Sequence, residues 1–116
     1  DLTTLPVIDW ELGEKRAGSR QWAEEILVLL MQRLPGDIAQ IHQAYAEQKY
    51  NELLNHVHKL HGAIAYCGLP RLKLVITSIE SHLRSHIMDG LPSQLEQLDS
   101  EVNLLLQEEI SPTSLP

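Results

Sequence analysis

Residues 51–71 read Asn51-Glu52-Leu53-Leu54-Asn55-His56-Val57-His58-Lys59-Leu60-His61-Gly62-Ala63-Ile64-Ala65-Tyr66-Cys67-Gly68-Leu69-Pro70-Arg71. Leu53, Val57, Leu60, Ile64 and Cys67 recur in steps of three and four, the period of one face of an α-helix. The spacing predicts a helix starting near Lys49. Gly68 suits the left-handed residue that follows a last turn, and Pro70 suits the first turn of a new helix, where its missing N–H costs nothing.

Working outward, the same period recurs. After Pro70 comes Leu72, Val75, Ile76, Ile79, Leu83 and Ile87, with Gly90 expected to end the helix. Ser93 and Glu96 have capping-box spacing, and Leu91, Leu95, Leu98, Val102 and Leu105 form the last apolar stripe, stopped by Pro112. Upstream, Asp9 is a candidate cap for a short helix, Trp10 to Arg16, broken by Gly18-Ser19. Ser19 is a candidate cap for a long helix with the face Trp22, Ile26, Leu30, Leu34, Ile38, Ile41 and Tyr45. Pro35 lies inside that pattern. The unbroken phase favours one kinked helix over two. Strand-like alternation is nearly absent. The expected fold is all-α: one domain over residues 1–116, an antiparallel four-helix bundle with a short extra N-terminal helix, and irregular ends at 1–7 and 111–116.

The chain has 116 residues, enough for a core without cross-links. It carries 9 Lys and Arg against 16 Asp and Glu, net charge −7. That balance, with no basic cluster, speaks against nucleic-acid binding and against a polybasic membrane contact. The longest apolar run, Ile26 to Met31, is far short of the ~20 residues of a membrane span. The one cysteine, Cys67, excludes an internal disulfide and a multi-cysteine zinc site. On the apolar stripe, Cys67 reads as a buried hydrophobe. Neither phosphate-loop pattern nor a G-x-S-x-G elbow occurs. The chain begins at Asp1, with neither an initiator Met nor a signal peptide, which suggests a domain excised from a larger protein or a processed chain.

Six histidines stand in the chain: His42, His56, His58, His61, His82 and His86. At 100° per residue, His58 lies about 140° from the centre of its helix's apolar stripe, close to full exposure, and His61 about 80° away, at the boundary. Gly62 falls at about 180° and Ala65 at about 120°, so the exposed imidazole has small neighbours. A glycine inside an exposed helix costs about 1 kcal/mol relative to alanine, so a flat surface for a close-approaching partner is one reason to keep it. His82 and His86, four apart on one predicted helix face, could chelate a divalent ion. No Glu precedes any His by three, which argues against a di-iron site, and no metal site is expected.

The run His58-Lys59-Leu60-His61-Gly62, with Gly68 six residues on and Tyr66-Cys67-Gly68-Leu69-Pro70-Arg71 following, resembles a histidine phosphotransfer domain, in the version found at the C-terminus of BarA/GacS-type hybrid sensor kinases. The lead-in Val7-Ile8-Asp9-Trp10 is similar too. The resemblance implies that His58 accepts a phosphoryl group from the aspartate of a receiver domain in the same hybrid kinase. A cognate response regulator then takes it, and the receivers supply the acidic pocket and Mg²⁺, leaving no cofactor and no ATP-dependent activity in this chain. It further implies a bacterial cytoplasmic setting, as the C-terminal part of an inner-membrane kinase, with no direct membrane contact. His61 stands where the family usually has Lys, so His61, with Lys59 adding positive potential, is the expected phosphate support. By face, Asn51, Leu54, Asn55, Gly62 and Ala65 are expected to meet the receiver. The alternative is a docking module that binds a receiver or kinase domain without phosphorylation. A dimeric kinase core would need a spare apolar stripe and an ATP-binding domain, and a monomer is expected.

Overall fold

The computed structural model describes residues 2–110. After a single 3₁₀ turn at Leu2–Thr4 come five α-helices: α1 (Trp10–Ala17), α2 (Arg20–Ala46), α3 (Tyr50–Ile64), α4 (Pro70–Arg84) and α5 (Leu91–Leu106). The four long helices pack in sequence, α2 on α3, α3 on α4, α4 on α5, and α5 closes back on α2. Short connections force each helix to reverse on its predecessor. The expected all-helical bundle with a short extra helix is what forms; the 3₁₀ turn gives regular structure to part of the arm expected to be irregular. Asp1 and residues 111–116, including the Pro112 stop, lie outside the described residues.

Local chemistry sets the helix starts. Asp9 Oδ1 accepts the Leu12 N–H at 3.0 Å and Ser19 Oγ accepts the Trp22 N–H at 3.1 Å, each satisfying a donor the first turn leaves free. Gly18 takes the left-handed conformation after α1. α2 runs through Pro35 as one helix.

Several helix ends differ from expectation. α3 stops at Ile64, so Gly68 sits in the α3–α4 corner and not directly after the last turn. α4 stops at Arg84, not at Gly90. His86, at φ +56°, takes the left-handed position. Its N–H reaches the Leu83 carbonyl at 3.1 Å, and the Ile87 N–H reaches His82 at 2.8 Å. Gln48, at φ +58°, ends α2 the same way. This is the double closure that usually uses glycine. Non-glycine residues occupy it here, so the sequence gives no signal for it. Gly90 instead precedes the first turn of α5, and the expected Ser93–Glu96 capping box does not form, because both residues already lie inside the helix.

The α3 stripe is buried as predicted, as is the α5 stripe. In α2 the buried face is Ala23, Leu27, Leu30, Leu34, Ile41 and Ala44, rotated by about one position from the expected one. Trp22 is exposed, while Ile26, Ile38 and Tyr45 are half-buried. Ala23 and Ala44 let neighbouring elements approach closely, which a search for large apolar residues overlooks. Ile87, expected in the α4 stripe, lies beyond the helix end and is exposed. Cys67 is buried in the core cluster, and loss of solvation pushes its thiol up to about 11.

One glycine ties α1 to the bundle. Gly68, at φ +62°, accepts the Asp9 N–H at 2.8 Å. A Cβ on Gly68 would fall against the Asp9 carbonyl and only 2.7 Å from the Gly13 nitrogen. The α3–α4 corner therefore tolerates no side chain at that point.

Candidate functional site

α3 and α4 bring five polar side chains to one seam. His58 projects from the crest of α3, its side chain 64% exposed. Glu80 lies between the helices on α4, its side chain only 12% exposed. His58 Nδ1 stands 3.2 Å from Glu80 Oε2, and His61 Nδ1 stands 2.8 Å from Oε1. Arg84, one turn further along α4, meets Oε2 with Nε at 2.9 Å and Nη2 at 2.8 Å. Thr77 Oγ1 lies 3.3 Å from His61 Nε2.

The Glu80 carboxyl sets the protonation pattern. Burial alone would raise its pKa, but hydrogen bonds from His61, Arg84 and His58, with the Arg84 charge, more than reverse this and hold it at about 2. At neutral pH it is a carboxylate and can only accept. The hydrogen on the Glu80–His58 contact therefore belongs to His58 Nδ1, which leaves the lone pair of the neutral ring on Nε2. Arg84 Nη2 also comes within 3.4 Å of His58 Nδ1. A nitrogen that carries hydrogen cannot accept another, so this is a side-by-side approach and not a second bond. Nε2 has no partner among the described residues.

The surface around His58 is low. A Cβ on Gly62 would meet nothing within 4 Å. Packing in the bundle therefore does not require glycine there. Asn51 and Asn55 are exposed, and Leu54 and Ala65 are half-buried. Tyr66, one turn beyond Gly62, is exposed.

The other sequence candidates separate. His61 joins the seam, with both ring nitrogens engaged. Lys59 is exposed and lines a groove with Arg33, Asp37, Gln40 and His56 on the α2 side, away from Glu80. His82 and His86 do not form a chelating pair, because His86 lies past the end of α4 and His82 Nδ1 is 2.6 Å from Gln94 Nε2. Among the described residues no group of three or more His, Cys, Asp and Glu could hold a metal ion. No described helix is long and apolar enough to cross a membrane. Sequence reasoning missed Thr77, Glu80 and Arg84. Their steps of three and four mark one stripe beside the α4 core face, a signal visible only once α3 is known to pack against it.

The Hpt domain family matches residues 25–108, most of the bundle. The chain belongs to the Hpt domain family. Over 100 residues it is 34% identical to the signal transduction histidine-protein kinase BarA of Shigella flexneri, covering 84% of this chain and 11% of that protein. Over 105 residues it is 32% identical to the sensor histidine kinase GacS of Pseudomonas protegens, covering 90% of this chain and 11% of that protein. The Hpt chain thus spans about a ninth of the length of these relatives. A crystal structure of the HPT domain from a Shewanella sensor hybrid histidine kinase superposes with a TM-score of 0.75 at 33% identity, covering 91% of this chain and 90% of that one.

Proposed function

We propose that this Hpt domain is a phosphorelay intermediate of two-component signalling, with His58 as its phosphoacceptor. The observation that carries the reading is the Glu80 contact to His58 Nδ1, which leaves Nε2 exposed, unpartnered and basic. The Nε2 lone pair attacks the phosphorus of an aspartyl phosphate on a receiver domain. The N–P bond forms, and the P–O bond breaks as the receiver's aspartate leaves as a carboxylate. The phosphorylated ring keeps its Nδ1 proton and becomes cationic, and Glu80 lies against that charge. The reverse sequence passes the group to the aspartate of a response regulator. Such transfer depends on positioning and charge stabilisation, and the receiver supplies the Mg²⁺ and acidic pocket.

The low surface of Asn51, Leu54, Asn55, Gly62 and Ala65 is the docking face for the receiver. His61 supports the site by holding Glu80. Lys59 contributes only long-range positive potential. The setting is the cytoplasmic, C-terminal part of a membrane-bound hybrid kinase, and the partners are that kinase's receiver and a cognate regulator.

The test is transfer from a phosphorylated receiver to this chain, run beside His58→Gln. Acid-labile, base-stable label on the wild type and none on the variant is the expected result. Absence of label on the wild type with several receivers would leave a docking module without chemistry.

A further inference from the structure

His58 and His61 stand one turn apart on α3 and share one carboxylate. Glu80 is ionised at neutral pH and can only accept. It takes a hydrogen from Nδ1 of each ring, at 3.2 Å from His58 and 2.8 Å from His61. The same carboxylate thus sets the same tautomer twice, and each neutral ring keeps its lone pair on Nε2. By tautomer alone the two histidines are equal nucleophiles. Their surroundings separate them.

Nε2 of His58 has no partner among the described residues, and its side chain is largely exposed. Nε2 of His61 lies 3.3 Å from Thr77 Oγ1 on α4. A ring nitrogen without hydrogen can only accept, so the Thr77 hydroxyl donates. The lone pair that would attack is therefore already engaged. The His61 side chain is 27% exposed, less open than His58 but not closed to a partner. Thr77 is itself exposed, so its hydroxyl is not a core requirement of the bundle.

We propose that Thr77 selects the acceptor: its hydroxyl occupies Nε2 of His61 and so confines the phosphoryl group to His58. The inference rests on the relay reading. Thr77 forms no covalent bond and gives up no proton; it is a positioning residue that acts through His61. With the hydroxyl removed, Nε2 of His61 is free to attack the phosphorus of the receiver's aspartyl phosphate. The N–P bond then forms on His61, and the P–O bond breaks as the aspartate leaves as a carboxylate. The ring keeps its Nδ1 hydrogen and becomes cationic against Glu80. Two acceptors then stand where the wild-type seam has one.

The experiment uses a phosphorylated receiver with the wild-type chain, Thr77→Val, Thr77→Ala, Thr77→Ser, His58→Gln, and His58→Gln combined with Thr77→Val. Trypsin cuts after Lys59, so His58 falls in the peptide 50–59, while 60–71 holds His61 as its one histidine. In Thr77→Val and Thr77→Ala the ratio of label on 50–59 to label on 60–71 is expected to fall about tenfold, the size of one released hydrogen bond. Thr77→Ser keeps a hydroxyl and should keep the wild-type ratio. The double variant should take label on 60–71 about tenfold above His58→Gln alone. Nitrogen NMR should show Nε2 of His61 shifting toward a free lone pair in Thr77→Val and not in Thr77→Ser. A label ratio within twofold of wild type in both Thr77→Val and Thr77→Ala would overturn the proposal, whether or not the nitrogen signal moves. So would an equal fall in Thr77→Ser, or His58→Gln labelled on 60–71 as strongly as the double variant. A wild-type chain that takes no phosphoryl group removes the relay reading itself, and this inference with it. A labelled wild type beside a silent double variant removes the inference alone.

Discussion

Two histidines in this bundle each reach a carboxylate across a helix seam, and they do so with opposite nitrogens. His58 uses Nδ1 toward Glu80, and its Nε2 faces solvent. His42, on α2, uses Nε2, at 2.7 and 2.9 Å from the two oxygens of Asp99 on α5. The nitrogen left over at His42 is Nδ1, which adjoins the ring carbon bearing Cβ. One turn beyond His58 stands Gly62 with open space around it, whereas one turn beyond His42 stands Ala46. His58 also has Arg84 beside its ring, with Nη2 3.4 Å from Nδ1. The two pairs thus differ in the nitrogen that is engaged, and the proposed relay role of His58 rests on that difference.

The comparison breaks most cleanly at the acceptors. His42→Gln should leave phosphoryl uptake within about twofold of wild type and change stability by no more than about 1 kcal/mol, as for an exposed pair. His58→Gln should abolish uptake. Uptake lost in both would mean that the two pairs are not distinguished by nitrogen.

The next effect is on acid stability. Glu80 titrates at about 2 in the folded chain against 4.5 for an ordinary carboxyl. Its ionised form thus favours the fold, and the stabilisation, on the order of 3 kcal/mol, is complete above about pH 4.5 and lost as pH falls through about 2. Denaturant midpoints of wild type and Glu80→Gln should converge across that interval. Parallel curves would place Glu80 outside the network.

Transfer kinetics sharpen the contrast further. Glu80→Gln removes the charge facing the cationic phosphorylated ring, and rapid-quench assays should find transfer slowed on the order of 10²-fold, while Asp99→Asn transfers normally. Last, Gly62→Leu should slow transfer about tenfold or more by blocking docking, with thermal stability near wild type because nothing in the bundle opposes a side chain there. Normal transfer by Gly62→Leu would move the docking face elsewhere.

How much of this was legible follows from which elements set it. His58's exposure follows from the phase of α3 alone, because that helix has a single well-defined stripe. Glu80's role depends on the register of α4 against α3, a tertiary fact that period 3.6 cannot supply. In α2 two neighbouring stripes satisfy the same period, and the sequence favours Trp22 and Ile26 by size. The packed helix buries Ala23 and Leu27 instead, the alanine lying against Gly13 of α1. The end of α4 was hidden for another reason: His86 adopts a conformation that glycine normally announces.

Cys67 has a use outside the relay. It is the only thiol in the chain, it is buried at the corner that Gly68 pins to α1, and its thiolate is disfavoured by burial. Burial slows an alkylating reagent, so a rise in labelling rate reads out opening at one defined place. The protein carries its own clock for the loosening of its α1 clasp, readable by mass at native pH without denaturant or an added probe.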